Sequence, residues 1–468
     1  VLKTNNILTS VDVLGKNLIQ NQNVNFVWEL FGRVPGVQLT NFNQGNVSGE
    51  FSFRGFNGEG NINGIKLLID GIPSNTHDGN MGFIDSVFPQ NIESIEVVRG
   101  TNDPRYGLYN IAGNASITTT TGGNYARGRV SYGSFNTTDI QTSVGYEKSG
   151  FSQNYFIGYR NSSGFRDHSD LSRLSLSGKW FYTSDNFRVG ASVRHYQGNS
   201  EGPGYLTFAK SRSRSTSSNA FNQSDKTNRI TNRITNQYSA HIDIDLTDNL
   251  FWSTKAYLND FNDRRFVKFS AGATQQERTT SEKHYGVIST LTYRPVIPVI
   301  HDFALEGGFD VQFQENRSLR FLTDQRVRQQ QTRNQDFDFN VYGTYIQATI
   351  NPIESVKIVP AYRVDIVDGH FTNKLTGVDS SINDYDFINQ PKIGMVYTPI
   401  DGYSLYGNWG RTFQVGVGAS AFRVSRVNNL KPSLNHGWET GINLNPVRWM
   451  EGRLLFGSKP HRMKPEDV

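Results

Sequence analysis

Residues 238–246 read YSAHIDIDL, and the alternation in them is complete. Tyr238, Ala240, Ile242, Ile244 and Leu246 share one side of an extended chain, and Ser239, His241, Asp243 and Asp245 share the other. Successive side chains of a strand point to opposite faces, so a period of two means one apolar and one polar face. SVKIVPAYRVDIV (355–367) repeats the pattern, with Val356, Ile358, Tyr362, Val364 and Ile366 set against Lys357, Arg363 and Asp365. LSRLSLSGKW (171–180) repeats it again through Leu174, Leu176 and Trp180. From Tyr125 onward the chain is expected to be built of such strands, each of about 10 to 14 residues.

The connections alternate too. Short turns fall at TSDN (183–186), TDN (247–249), NPIE (351–354), TPIDG (398–402) and NPV (445–447). Long polar segments lie near 197–235, 263–281, 315–336, 367–386 and 414–434. Short turns at one rim and long loops at the other is the layout of a transmembrane β-barrel in an outer membrane, with the short turns facing the periplasm. A soluble sandwich rarely has strands this long with so uneven a loop distribution.

Composition agrees. Only 36% of residues are hydrophobic, yet aromatics reach 12%, with 31 Phe and 21 Tyr, and Gly 45 outweighs Pro 15. Only alternate barrel residues meet lipid, so the average stays polar. No run approaches the ~18 apolar residues of a membrane helix. Trp180, Tyr182, Phe251, Trp252, Tyr397, Tyr403 and Trp449 fall near the short turns, as an interfacial girdle would. The absence of cysteine excludes thiol chemistry, disulfides and Cys-based metal sites. The net charge of +5 is scattered along the chain and gives no support to nucleic-acid binding.

Residues 1–123 differ. NFVWELFGRVPGVQL predicts a short amphipathic helix carrying Val27, Leu30 and Phe31 and stopped by Pro35-Gly36. Short strands follow at FSFRGF (51–56), IKLLIDGI (65–72), SIEVVRG (94–100) and ASITTTT (115–121). The segment IESIEVVRGTNDPRYGLYNIAGNA (92–115) runs a strand into a loop punctuated by glycines. A globular α+β unit ahead of a wide barrel has the size to fill its lumen.

In SFRGFNG (52–58), LLIDGIP (67–73), IESIEVVRGTNDPRYGLYNIAGNASITTT (92–120) and TSVDVLGKNLI…LFGRVPGVQL (9–39) the chain resembles the plug of TonB-dependent outer-membrane receptors. NNLKPSLNHGWETGI (428–442) is similar to a barrel segment of the same family. The resemblance implies a mainly β fold: an α+β plug (1–123) inside an antiparallel barrel (124–457), followed by a polar tail (458–468). It implies an outer-membrane location in a Gram-negative bacterium, contacts with lipid and lipopolysaccharide, and coupling to the TonB–ExbB–ExbD complex. It implies no enzyme activity, no cofactor and no metal held by side chains, the cargo being a ferric siderophore or another iron(III) chelate. Cobalamin, a nickel chelate or an oligosaccharide stands as the alternative cargo. No His-Glu-x-x-His, nucleophile elbow or P-loop occurs.

The resemblance also carries residue roles. Arg54 and Arg99 are expected to pair with barrel glutamates, Glu439 among them; the alternative is that both face water-filled space. Gly55, Gly71, Gly100, Gly107 and Gly113 are read as backbone devices for positive φ or close approach to the wall. Ligand contacts are expected from His77, Asp78 and Asn80 at a plug apex, from Arg212 and Arg214 in loop 197–235, and from Arg326 and Arg328 in loop 315–336. An anionic chelate draws converging basic groups; the alternative for each loop arginine is a solvated residue facing lipopolysaccharide phosphates. About fifteen barrel strands are expected, against the 22 of such transporters, with the TonB box upstream of Val1. The tail and the strand count suggest a truncated or frameshifted product, hence a non-functional remnant as a further alternative; a passive porin and a surface adhesin or signalling protein are disfavoured.

Overall fold

The computed structural model describes residues 9–42, 45, 49–57, 63–100, 103–206, 208–209, 230–268, 272–424, 430–447 and 450–458. The N-terminal unit contains β1 (Ser10–Gly15), β2 (Gln38–Thr40), β3 (Glu50–Ser52), β4 (Ile65–Ile69), β5 (Ile72–Pro73), β6 (Ile92–Arg99) and β7 (Gly113–Thr119). Five of these form a mixed sheet ordered β1-β6-β7-β4-β5, with β4 and β7 parallel. β4 is buried along its whole length, as expected of a strand covered on both faces. Its core gathers Phe31, Phe51, Ile65, Leu67, Ile95 and Ile117, with Phe31 and Phe51 stacked at 3.9 Å.

The amphipathic segment is a 3₁₀ stretch, Val27–Arg33, rather than an α-helix. Side chains three apart eclipse in a 3₁₀ turn, so the pairs Val27/Leu30 and Trp28/Phe31 both face the core and all four are buried. FSFRGF is likewise shorter than expected as a strand: β3 stops at Ser52, and Phe53 bridges to Phe56 around Arg54 and Gly55, both at positive φ.

Among the described residues, the remainder forms one antiparallel sheet of sixteen strands. In chain order these are β8 (Tyr125–Gly133), β9 (Thr137–Lys148), β10 (Phe151–Ser162), β11 (Leu171–Thr183), β12 (Phe187–Glu201), β13 (Ile230–Thr247), β14 (Leu250–Val267) and β15 (Gln275–Tyr293). Then follow β16 (Asp302–Asp324), β17 (Val327–Ile353), β18 (Val356–Asn373), β19 (Val378–Ser381), β20 (Ile388–Ile400), β21 (Tyr403–Gln414), β22 (Ser433–Val447) and β23 (Met450–Ser458). Each strand pairs with its sequence neighbour, except that β19 lies beside the outer part of β18. β10 shows the two faces plainly. Ser152, Asn154, Phe156 and Arg160 are buried toward the lumen, while Phe151, Tyr155, Ile157 and Tyr159 are exposed on the outer face.

Strand length departs furthest from expectation. β16 spans 23 residues and β17 spans 27, far beyond the ~9–11 a membrane crossing needs. The supposed loop 315–336 is therefore a tight hairpin, turning through Gln325 and Arg326 at φ 45° and 70°. Segment 367–386 is partly strand as well. Beyond the membrane both faces of a ribbon meet water, so polarity there no longer separates strand from loop.

The glycine-punctuated loop after β6 lies against the wall. Arg363 on β18 donates to the carbonyls of Pro104 and Arg105 at 3.3 and 3.2 Å. It is held by Asp365 at 2.7 and 2.6 Å and by Asp310 at 2.7 Å. A Cβ on Gly107 would lie 2.6 Å from an Asp365 oxygen and 2.8 Å from Arg363 Nε. Since that ion pair is fully buried and braced, it cannot give way. Gly107→Ala should destabilise the plug by about 1–3 kcal/mol, the usual range for overpacking. Limited proteolysis of detergent-solubilised protein should then cut residues 92–120 faster, while Gly128→Ala, with nothing within 4 Å, leaves the rate unchanged; equal rates in the two variants would refute this.

Candidate functional site: an arginine-lined cavity over the plug apex

The cavity depends on how the plug is held, and charge pairs hold it. β4 and β5 are joined by Asp70-Gly71, both at positive φ, the geometry of a two-residue hairpin turn. The turn thrusts Asp70 at the wall, where it meets Lys179 at 2.9 Å and Arg194 at 3.2 Å. Thr119 supplies an N–H and a hydroxyl, each at 2.8 Å. Burial would raise the Asp70 carboxyl, but Lys179 and Arg194 outweigh it and hold it at about 2. Asp85, in the 3₁₀ stretch Gly82–Ser86, binds Arg233 at 2.9 Å, and Arg233 also reaches Asp263 at 3.2 Å.

Arg54 and Glu439 meet as an ion pair across the gap between plug and sheet. The other Glu439 oxygen accepts from the Ser10 amide at 3.0 Å and the Tyr406 hydroxyl at 2.7 Å. Arg99 goes elsewhere: its guanidinium takes Asp12 and the Pro35 carbonyl, both within the plug. β1 pairs with β6 so that Ser10 faces Arg99 and Asp12 faces Val97. Asp12 is thus the same-face diagonal neighbour and satisfies Arg99 before any barrel carboxylate can.

The apex is the loop 74–82. Asp78 folds it, accepting from Thr76 Oγ1 at 2.6 Å and from the Asn80 side chain at 2.6 Å. Asn80 in turn accepts from Asn63 at 2.9 Å. His77 reaches across to β15. Its amide donates to Glu282 at 2.9 Å, and its Nδ1 lies 2.6 Å from the other Glu282 oxygen. His284 contacts Glu282 from its own strand at 3.2 Å, the His77 ring stands edge-on to Phe337 at 5.2 Å, and Tyr109 donates to the His77 carbonyl at 2.5 Å. Burial lowers the imidazole pKa, but the Glu282 charge and hydrogen bond, with Asp78, more than reverse this and raise it to about 9.

Above this apex lies a cavity of about 300 Å³ that takes in His77, Asp78, Asn80 and Glu282. Its far wall is a row of arginines. Arg265 on β14 faces Arg278 on β15, Arg278 faces Arg320 on β16, and Arg320 faces Arg333 on β17. All four line the cavity. Arg320 keeps a buried Nε with no hydrogen-bond partner. Of the carboxylates that line the cavity, Glu282 is engaged by the two histidines, Asp263 by Arg233 and Asp78 by Thr76 and Asn80; Glu50 lines it as well.

The residues expected to bind ligand divide accordingly. His77, Asp78 and Asn80 reach the cavity. Arg326 sits in the hairpin turn and gives its amide to Gln275 at 2.8 Å. Arg328 forms a bidentate pair with Glu277 at 2.7 and 2.8 Å, and Glu277 alternates with Arg278 on β15, which places it on the opposite face from the cavity. Arg212 and Arg214 lie outside the described residues. Arg320 and Arg333, which line the cavity, stand in the same segment 315–336 as Arg326 and Arg328; Arg265 and Arg278 lie in 263–281, where sequence offered no signal to separate them from other polar residues.

Residues 3–114 match the family model described as the TonB-dependent receptor plug domain, and residues 158–457 match the TonB-dependent receptor-like β-barrel. The chain belongs to the TonB-dependent receptors, which are outer-membrane receptors and not enzymes. Over 228 residues it is 25% identical to the vitamin B12 transporter BtuB of Vibrio vulnificus, covering 40% of this chain and 37% of that one. The chain therefore spans well under half of this curated relative. Among solved structures it is similar to the unliganded ferric citrate transporter FecA, with a TM-score of 0.83 and 17% identity over 94% of this chain and 68% of that one. The ferripyoverdine receptor of Pseudomonas aeruginosa gives 0.80 and 15% over 97% and 63%. The alcaligin receptor FauA of Bordetella pertussis gives 0.75 and 13% over 97% and 71%. At these identities the likeness to solved structures is one of fold.

A histidine raised from 6.5 to about 9 on folding contributes stability that is complete below pH 6.5 and is lost as pH rises through about 9. Groups facing it are Glu282 and His284 from β15, Asp78 beside it, and the uncharged Phe337 and Tyr109. Amide exchange in residues 74–82 should speed up between pH 7 and pH 10 by more than the intrinsic base-catalysed rise. Glu282→Gln should abolish the excess; an excess that persists in that variant would rule out the ion pair as its source.

Proposed function

We propose that this chain serves energy-coupled uptake of an anionic iron(III) chelate of the ferric siderophore type across a Gram-negative outer membrane. TonB–ExbB–ExbD acts from the periplasmic side, and lipid and lipopolysaccharide surround the sheet. The observation that carries this reading is the row Arg265–Arg278–Arg320–Arg333 over the plug apex. Like charges placed directly opposite one another destabilise a sheet, and four in a row repeat that cost three times. A multiply charged anion removes the repulsion and gains charge-assisted, fork-shaped hydrogen bonds. His77, as imidazolium at neutral pH, adds a cation at the floor.

The relative named as a vitamin B12 transporter favours cobalamin as the second reading. Cobalamin carries no cluster of anionic groups and would leave the row unneutralised. Binding of ferric citrate, an iron(III) catecholate and cyanocobalamin to the purified protein separates the two. Anionic ferric chelates should bind, weaken with rising salt and lose roughly ten- to hundredfold in affinity in Arg320→Ala/Arg333→Ala, given ~1.5–3 kcal/mol for hydrogen bonds to charged groups. Tight cyanocobalamin binding that ignores both salt and the arginine changes would reverse the assignment.

A further inference from the structure

A second cavity, of about 130 Å³, opens on the same outer side of the plug. Plug residues Phe26, Trp28 and Asn41 line it on one side, and Phe165, Ser169 and Leu171, from the β10–β11 connection and the start of β11, line it on the other. Gly49 lines this cavity and the arginine-lined one alike, so the two are neighbours around one point of the plug backbone. A Cβ at Gly49 would fall 2.1 Å from the Trp28 ring, so any side chain there would collide with the indole.

The two cavities differ in chemistry. Trp28 is 2% exposed, and its indole Nε1 is buried with no hydrogen-bond partner. Indole N–H is a donor only, and leaving a buried donor unmet costs about 1–3 kcal/mol. Glu29, the carboxylate of this cavity, is turned back to cap its own 3₁₀ stretch, accepting from the Phe26 amide at 2.9 Å. What remains is a slot walled by aromatic rings and by Arg166, whose guanidinium is bonded to the carbonyls of Gly204 and Pro203, with the Trp28 N–H left unanswered. Its volume is close to the ~150 Å³ cavity that holds a benzene ring.

Building on the proposed uptake of an anionic chelate, we infer that the ligand is bipartite. Its anionic chelate core lies on the arginine row, and an uncharged aromatic arm bearing a carbonyl passes Gly49 into the slot, where the carbonyl accepts from Trp28 Nε1. A chelate that carries, besides its iron-binding groups, a pendant aryl amide held off the metal has this constitution; a compact ring-free polycarboxylate chelate does not. Trp28 and Phe165 are then specificity determinants that select for the arm and leave the core alone.

The test compares two probes on the purified full chain: ferric citrate, which has no ring, and the iron(III) complex of a citric acid monobenzylamide, whose ring stays off the metal. The aryl chelate should bind about tenfold more tightly. Trp28→Phe, which keeps a ring and removes the donor, should cut aryl-chelate affinity about five- to tenfold and leave ferric citrate unchanged. Phe165 is 52% exposed and stands on the β10–β11 connection, so Phe165→Ala avoids the plug core and should act in the same direction. An aryl chelate that binds no better than ferric citrate, or variants that weaken both probes equally, would overturn the inference. Arg320→Ala keeps the two readings apart. If it weakens both probes while Trp28→Phe affects neither, the anion site stands and the slot falls; if it affects neither probe, the anion reading itself falls.

Discussion

A charge that faces the lumen of this sheet is removed from bulk water and must be met by a group on another element. Burying an unpaired ion costs several kcal/mol, and most of the architecture follows from how that cost is avoided. Lys179 and Arg194 find Asp70, Arg233 finds Asp85, Glu439 finds Arg54 and Glu282 finds His77. Each pair joins the plug to a different part of the sheet, from β11 round to β22. The hydrophobic core of the plug decides its internal fold; these pairs decide its seat and orientation.

The arginine row is the exception, and it gains its meaning from the rule. Four guanidinium groups stand in register across β14 to β17, each facing another arginine across the ladder, with Arg278 also bonded to Gln276 of its own strand. Their neighbours Glu282 and Asp263 are committed to His77 and Arg233, so the row cannot be neutralised from within by these carboxylates. The cavity floor is the same His77–Glu282 contact that fastens the plug apex. Whatever anion settles on the row thus competes electrostatically with the bond holding the apex to the wall.

The sequence made the sheet legible because lipid enforces a period of two wherever it touches a strand, as in YSAHIDIDL. Above the lipid that enforcement ends, which is why β16 and β17 looked like a loop. Their turn, Gln325-Arg326, adopts positive φ without the usual Gly or Asn. Two bulges between Arg320 and Thr323 then shift the pairing by two residues in all. Without them Arg320 would face Gln331 instead of Arg333, so the row could not be counted out from the turn. Arg99 failed for a different reason. A motif resemblance implied a distant barrel carboxylate, while the β1–β6 register supplied Asp12 from nearby. Arg326 and Arg328 belong to the same hairpin as Arg320 and Arg333, but alternation turns Arg328 to Glu277, away from the arginine-lined cavity.

The two ends of the plug's attachment are not equivalent. Asp70 is the carboxylate that Lys179 and Arg194 share, so withdrawing the Asp70-Gly71 turn would strand two buried cations in the wall. Arg363, by contrast, is satisfied by Asp310 and Asp365 of its own sheet and gives the plug only two longer bonds, to the carbonyls of Pro104 and Arg105. Leaving the wall costs the loop around Gly107 two neutral acceptors that water can replace, together with the burial of Leu108 and Tyr109 against Phe337, Phe339 and Val341. The Asp70 turn can leave only by paying the desolvation of an ion triad. The β4–β5 turn is thus held to the wall by charge, and the loop after β6 chiefly by apolar burial.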